Sequence, residues 1–95
     1  MNKIKCSAVL VVEGKMDKDL IESFMDVDII TTNGSEVSRG TIDYIQEISK
    51  KRRIIILTDP DAPGKRIRDI INQNVPGCLN AFVPKNKAIK GHKVG

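Results

Sequence analysis

Hydrophobic residues along the chain follow two alternating patterns: short continuous runs, and longer segments with helical spacing. Three runs rich in β-branched residues, Ala8–Val12, Ile29–Thr32 and Ile54–Leu57, have no polar alternation, and a fourth short run, Leu79–Val83, is apolar except for Asn80. Glycine, asparagine or aspartate follows each of the first three runs within three residues and interrupts its apolar pattern. Runs of this length and composition are typical of strands buried on both faces of a sheet. The pattern therefore predicts four strands.

Between these runs, apolar residues recur three or four positions apart, which predicts three amphipathic helices. The predicted helices cover residues 15–25, 38–51 and 63–75, and Pro63 suits the first turn of the third. The predicted inward faces are Met16, Leu20 and Phe24 in the first helix, Ile42, Ile45 and Ile48 in the second, and Ile67, Ile70, Ile71 and Val75 in the third. Phe82, in the last predicted strand, is also expected to be a core residue, like Phe24.

The order of these elements, βαβαβαβ, decides the fold class. Short strands joined by helices of about a dozen residues require parallel pairing with right-handed crossovers, and helices then cover both faces of the sheet. We therefore expect an α/β protein with three layers, α/β/α, around a four-stranded parallel sheet.

Composition limits the size and location of the protein. The chain has 95 residues, which allows one modest core and excludes an eight-unit β/α barrel of roughly 250 residues. No apolar run approaches the ~20 residues of a membrane span, so no membrane association is expected. The two cysteines make no disulfide framework, which indicates reduced thiols and a cytoplasmic protein.

Positive charge is concentrated at the end of the chain. The net charge is +4, and residues 84–95 contain four lysines and no acid, which leaves a neutral segment of 12 basic and 12 acidic residues before them. We therefore divide the chain into a folded domain, residues 1–83, and a basic tail, residues 84–95. The tail either binds RNA through counterion release or is a solvated end.

Three carboxylates follow predicted strands that can be neighbours. Glu13 follows the first strand, and Asp59 and Asp61 follow the third, separated by Pro60. Pro60 favours an extended backbone at Asp59, so both aspartates can face the same point. Oxygen-only ligands of this kind favour Mg²⁺ or Mn²⁺ and phosphodiester chemistry.

Ordinary structural roles remain open for the same residues. Asp61 can simply cap the third helix, and Glu13 can be a solvated loop residue. Asp17 can be an acid in the first turn of a helix, and the basic residues that follow the strands can be a solvated surface.

The residues Val12-Glu13-Gly14-Lys15 and Asp59-Pro60-Asp61 resemble the Toprim domain, found in topoisomerases, bacterial primases, recombination mediators and certain nucleases. The closer resemblance is to the Toprim nucleases that mature 5S ribosomal RNA. It rests on Val11–Lys15, Thr32–Ser35, Ile56–Asp61 with Pro63-Gly64, Ile67-Arg68, Ala81-Phe82 and Lys93–Gly95. Three departures from those nucleases are Met16 in place of an acid, Ala62 in place of an aromatic residue, and an end at Gly95 where they continue into a second region. The chain is therefore expected to be either a catalytic-type domain truncated relative to them or a small stand-alone Toprim protein.

This resemblance implies a strand order of 2-1-3-4 and a set of site residues. Glu13, Asp59 and Asp61 would be the catalytic and metal-binding residues, with Glu13 sharing the metal or acting as general base. Asp17 would act on these residues without binding the metal itself. The residues expected to contact RNA phosphates or to form the edge of the site are Lys15, Asn33, Gly34, Gly64, Lys65, Arg66 and Arg68.

The predicted function is Mg²⁺-dependent endoribonuclease cleavage of structured double-stranded RNA, with 5S ribosomal RNA precursor as substrate and a 5S-binding ribosomal protein as a candidate partner. With three aromatic residues in the chain, recognition by shape and phosphate contacts is favoured over base stacking. The alternatives are a Toprim module that binds nucleic acid or a ribosomal protein without cleavage, and another Toprim activity related to primases or topoisomerases. A receiver-type phosphoacceptor and a haloacid-type phosphatase fit less well, because both place their acids after the first strand.

Overall fold

The computed structural model describes residues 3–34 and 36–82, which form the four strands and three helices in the predicted order. The strands are β1 (Ile4–Val12), β2 (Met25–Thr31), β3 (Ile54–Thr58) and β4 (Leu79–Phe82), and the helices are α1 (Lys15–Glu22), α2 (Arg39–Ser49) and α3 (Ala62–Asn74). All neighbouring strands pair in parallel, in the order β2-β1-β3-β4. The expected fold class and strand order are confirmed.

The core consists of two apolar clusters on opposite faces of the sheet. Successive residues of β1 alternate between them, because neighbouring side chains of a strand point to opposite faces. The larger cluster joins β1 and β3 to α2 and α3 and contains Val9, Val11, Ile45, Ile54, Ile56, Ile67, Ile71 and Val75. The smaller cluster contains Leu10, Val12, Ile21 and Val27, so α1 contributes one buried residue. Two helices thus cover one face and α1 covers part of the other.

The predicted inward face of α1 is wrong. Met16, Leu20 and Phe24 are 86%, 66% and 50% exposed, whereas Ile21 is 7% exposed. The helix ends at Glu22, three residues before its predicted end, and Met25 begins β2. The spacing of four places Met16 and Leu20 on one face of the helix, but Phe24 lies beyond its end and the helix turns a different face toward the sheet.

Two further findings concern the ends of the chain and membranes. The predicted basic tail, residues 84–95, lies outside the described residues, as does Val83, the predicted end of the last strand. Within the part that the structure describes, no helix has the length and apolarity that a bilayer crossing requires.

Candidate active site at the carboxyl edge of the sheet

Glu13 and Asp59 lie on the same edge of the sheet because their strands are adjacent. Val11 of β1 pairs with Ile56 of β3, so the two parallel strands end side by side. Glu13 follows β1 directly and Asp59 follows β3 directly. Both residues line one cavity of about 200 Å³, together with Asp17. The sheet therefore brings acids from two separate strands to one place.

The pKa of Glu13 reports the acids around it. Partial burial raises this pKa above its ordinary value of 4.5, and the negative charges of Asp61, Asp17 and Asp59 raise it further. A like charge disfavours the ionised form of a carboxyl group and acts over short distances. The predicted acids therefore lie close enough to interact, and Asp17 belongs to the same negative region.

A bend after β2 holds the backbone of Glu13. The N–H groups of Asn33 and Gly34 donate to the carbonyl oxygen of Glu13, at 2.8 and 3.3 Å. Asn33 has φ +60° and Gly34 has φ +128°, backbone conformations that favour asparagine and glycine. These two residues therefore contact the backbone of Glu13, while their place at the edge of a site and their contact with RNA stay predictions.

The loop between Asp59 and Asp61 is fixed by the start of α3. One carboxylate oxygen of Asp61, Oδ1, accepts a hydrogen bond from the N–H of Gly64 at 2.9 Å and caps the helix. The cap interpretation of Asp61 is thus correct. A Cβ atom on Gly64 would lie 2.1 Å from the carbonyl oxygen of Asp59. Glycine is therefore required for the close approach of the helix to the loop.

Asp17 also has a structural role. Its Oδ2 accepts a hydrogen bond from the N–H of Gly14 at 3.3 Å, which stabilises the start of α1. An acid there also suits the positive end of the helix dipole.

The carboxylates match Mg²⁺ in donor chemistry, but their side chains are not assembled as a complete ligand set. Among the described residues, no group of three histidine, cysteine, aspartate or glutamate side chains is placed to hold a metal ion. Magnesium commonly uses one or two carboxylates and completes its shell with water and substrate oxygens. Asp59 and Asp61 lie on one loop, and Glu13 lines the same cavity as Asp59.

Two predicted phosphate-binding lysines begin helices at this edge and form exposed ion pairs. Lys15 Nζ lies 2.8 Å from Asp19 Oδ2, and Lys65 Nζ lies 2.9 Å from Asp69 Oδ2. Exposed i,i+4 pairs contribute little stability, so a phosphate can compete for these lysines at small cost. Arg66 is also exposed. RNA contacts by the three residues stay predictions.

Arg68 is buried, whereas the predicted phosphate contact requires an exposed side chain. It is 7% exposed, and its guanidinium donates to Thr58 Oγ1 and the Ala81 carbonyl at 2.6 Å each, and to Asn80 Oδ1 at 3.0 Å. Burial lowers its pKa. These contacts join α3 to β3 and β4 and favour a structural role. The spacing of Gly64, Ile67, Arg68 and Ile71 on one face of α3 is the sequence signal for this burial.

Phe82 is not the core residue that its strand pattern predicted. It is 56% exposed, and the Arg68 guanidinium carbon lies 3.8 Å from the centre of its ring. β4 is an edge strand, and its residues pair on one side with β3. A ring at the end of such a strand has fewer neighbours than one in the centre of the sheet.

Comparison with known proteins decides the family. The Toprim domain model matches residues 8–91. The chain belongs to the Toprim family. The "Ribonuclease M5" of Bacillus subtilis is 46% identical over 92 residues, which are 97% of this chain and 50% of that protein. The protein of the same name from Mycoplasma genitalium is 42% identical over 91 residues, 96% of this chain and 51% of that protein.

These Toprim relatives confirm the resemblance to the nuclease group, and a solved structure supports the fold. The chain spans about half the length of the curated relatives it matches. A small Toprim domain protein from Bacillus stearothermophilus superposes with a TM-score of 0.73 at 20% identity, over 90% of this chain and 75% of that one. At that identity the likeness shows the shared fold alone.

Proposed function

We propose that this chain is the nuclease domain of a Mg²⁺-dependent endoribonuclease that cleaves structured RNA, with a 5S ribosomal RNA precursor as the substrate. The observation that carries the proposal is the meeting of Glu13 and Asp59 at one cavity, with the charge of Asp61 acting on Glu13. The sequence identity of 46% to Ribonuclease M5 over nearly the whole chain supports the choice of substrate.

In this proposal, Asp59 and Asp61 hold Mg²⁺, or Mn²⁺ in its place, and the bound ion stabilises charge on the phosphate oxygens. Glu13 accepts a proton from the attacking water, a role worth ~10²–10⁴-fold in rate. Its raised pKa suits this role, because a stronger base accepts a proton more readily. The hydrogen bond that Asp61 accepts from the N–H of Gly64 keeps its carboxylate in place.

The basic residues at the starts of α1 and α3 hold the RNA strand in this proposal. Lys15, Lys65 and Arg66 contact backbone phosphates, and Asn33 and Gly34 border the strand. Residues 1–83 form the catalytic domain, and the tail of residues 84–95 adds sequence-independent attraction to RNA. The working location is the cytoplasm, with a 5S-binding ribosomal protein as a partner.

Cleavage of a 5S precursor transcript in Mg²⁺ tests the proposal. The chain is compared with Asp59→Asn and with Asp43→Asn, a control at an exposed aspartate of α2 that pairs with Arg39. We expect the Asp59 variant to lose at least about 10²-fold in rate and the Asp43 variant to retain the full rate. Equal cleavage by the Asp59 variant would show that the metal lies elsewhere.

A non-cleaving RNA-binding module is the second candidate, because the chain spans about half of its relatives. It predicts tight precursor binding in the same samples with no Asp59-dependent product. Binding is measured by filter retention at the salt concentration of the cleavage assay.

A further inference from the structure

A second cavity adjoins the carboxylate loop, and Glu13 is not among its lining residues. It lies between the loop after β3, the start of α3 and the end of β4, and has a volume of about 410 Å³. Pro60, Ala62 and Phe82 supply its apolar wall, while Asp61 and Lys65 supply charged groups. The volume is within the range of about 300–1,000 Å³ that is typical of small-molecule sites.

The ring of Phe82 is held in place from one face. The Arg68 guanidinium covers that face at 3.8 Å and is fixed by hydrogen bonds to β3 and β4. The side chain of Arg68 is buried, yet 56% of Phe82 remains exposed. Phe82 lines the cavity and its position is supported by Arg68, so little side-chain entropy is lost when a ligand stacks on the exposed part of the ring.

We propose that Phe82, with Pro60 and Ala62, forms a shelf that stacks one unpaired nucleobase of the RNA strand whose phosphate lies at the carboxylates. The inference rests on the proposed function for its choice of RNA. The shelf requires a structured RNA substrate that has an unpaired or flipped nucleotide next to the cleaved bond. Aromatic side chains stack on any base, so the shelf selects an accessible base rather than a sequence.

The charges beside the shelf favour a nucleotide over an apolar protein segment. A protein segment that covered Phe82 would also cover the exposed ion pair of Lys65 and Asp69 at the rim of the cavity, and removing these charges from water is costly. A nucleotide places a flat base on the ring and leaves its phosphate near the exposed ammonium group of Lys65. The same phosphate backbone can then reach the carboxylates through Asp61, which borders both the cavity and the acidic cluster.

Binding of AMP and of ribose 5-phosphate, without divalent metal, tests the shelf independently of cleavage. The two probes share the sugar and phosphate and differ by the base. We expect AMP to bind about tenfold more tightly and to shift the ring protons of Phe82 upfield in NMR spectra. The AMP preference should be retained in Phe82→Tyr and lost in Phe82→Leu. Tyr44→Leu, at another exposed aromatic residue, should retain it.

Equal affinity for the two probes in the unmodified chain would overturn the shelf, as would AMP shifts at Phe24 or Tyr44 in place of Phe82. Retention of the AMP preference in Phe82→Leu would overturn it too. Because Phe82 packs on Arg68, thermal melts accompany each variant, and Phe82→Tyr keeps that packing. A Phe82→Tyr variant that melts like the parent but loses the preference also contradicts the proposal.

Cleavage of the 5S precursor separates this inference from the proposed function. We expect Phe82→Leu to raise KM about tenfold, with Phe82→Tyr restoring it. If Asp59-dependent cleavage occurs and Phe82→Leu matches the parent in KM and kcat, the shelf is wrong and the nuclease proposal stands. If AMP stacks on Phe82 but the precursor is not cleaved, the nuclease proposal fails and the shelf remains a nucleotide site.

Discussion

Glu13 is a partly buried carboxyl group whose titration depends on other acids. Burial and the charges of Asp61, Asp17 and Asp59 disfavour its ionised form, so the folded protein binds this proton more tightly than the unfolded chain. Its contribution to stability is therefore greatest below the ordinary pKa of 4.5 and is lost as the pH rises through the raised value. A cation bound among the acids would act in the opposite direction.

The pKa of Glu13 gives a direct test of the spatial arrangement. In metal-free buffer, carboxyl-carbon NMR should give a pKa above 4.5 for Glu13, and Asp61→Asn should lower it. Asparagine is a good helix cap, so this variant keeps the start of α3 while it removes the charge. Asp43→Asn, on α2, should leave the pKa unchanged. Identical titration of Glu13 in all three proteins would show that the acids do not meet.

Gly64 is required by the close approach of α3 to the loop that carries the aspartates. Gly64→Ala should lower the free energy of unfolding by about 2–3 kcal/mol, since its Cβ would overlap the carbonyl oxygen of Asp59. Gly40→Ala in α2 is the matched control, because no atom lies within 4 Å of a Cβ there. That change should be neutral or stabilise by up to about 1 kcal/mol. Urea denaturation of both variants measures the difference, and equal effects would contradict the close approach.

At the scale of elements, α1 shows how a short helix is oriented by the sheet. Ile21 enters the smaller core cluster, while Leu20, its neighbour in sequence, is 66% exposed. Ile21→Ala should therefore destabilise the protein by about 2–4 kcal/mol, and Leu20→Ala by less than about 1 kcal/mol. Thermal or urea unfolding gives both values. A larger loss of stability in Leu20→Ala than in Ile21→Ala would support the inward helix face that the sequence predicted.

Arg68 joins three elements below the carboxylate loop. Arg68→Ala leaves the acceptors of Thr58 and Ala81 without this donor and removes the support of the Phe82 ring, at a cost of about 2–4 kcal/mol. Arg66→Ala, two positions earlier on the exposed side of α3, should change stability by less than about 0.5 kcal/mol. Comparable losses in the two variants would show that Arg68 has no special role in the fold.

At the scale of the whole molecule, the proposed RNA attraction depends on where the lysines are. Replacing Lys85, Lys87, Lys90 and Lys93 with glutamine should weaken RNA binding and reduce its salt dependence, by about 0.7–0.9 in slope for each lysine that contacts a phosphate. The control replaces Lys50 and Lys51, which follow α2 at the opposite edge of the sheet. Filter-binding titrations across a salt series measure the slopes. An unchanged salt dependence of RNA binding in the tail variant would show that the tail is a solvated end.

The sequence determined the fold because its signals are local and repeated. Apolar β-branched runs and helical spacing alternate along the chain, and parallel strands joined by right-handed crossovers leave few arrangements. The same rules place Glu13 and Asp59 at one edge, since each directly follows a strand. The asparagine and glycine of the bend after β2 were also readable from residue type alone.

What the sequence could not decide was which of several apolar or charged residues would face the interior. Met16, Leu20 and Phe24 have helical spacing, but Ile21 is the residue that packs against the sheet. Arg68 carries a charge that suggests the surface, yet its guanidinium finds buried acceptors on β3 and β4. Phe82 belongs to an apolar run, yet it lies on an edge strand and stays half-exposed. Burial depends on neighbours that are distant along the chain, so only the tertiary structure settles these positions.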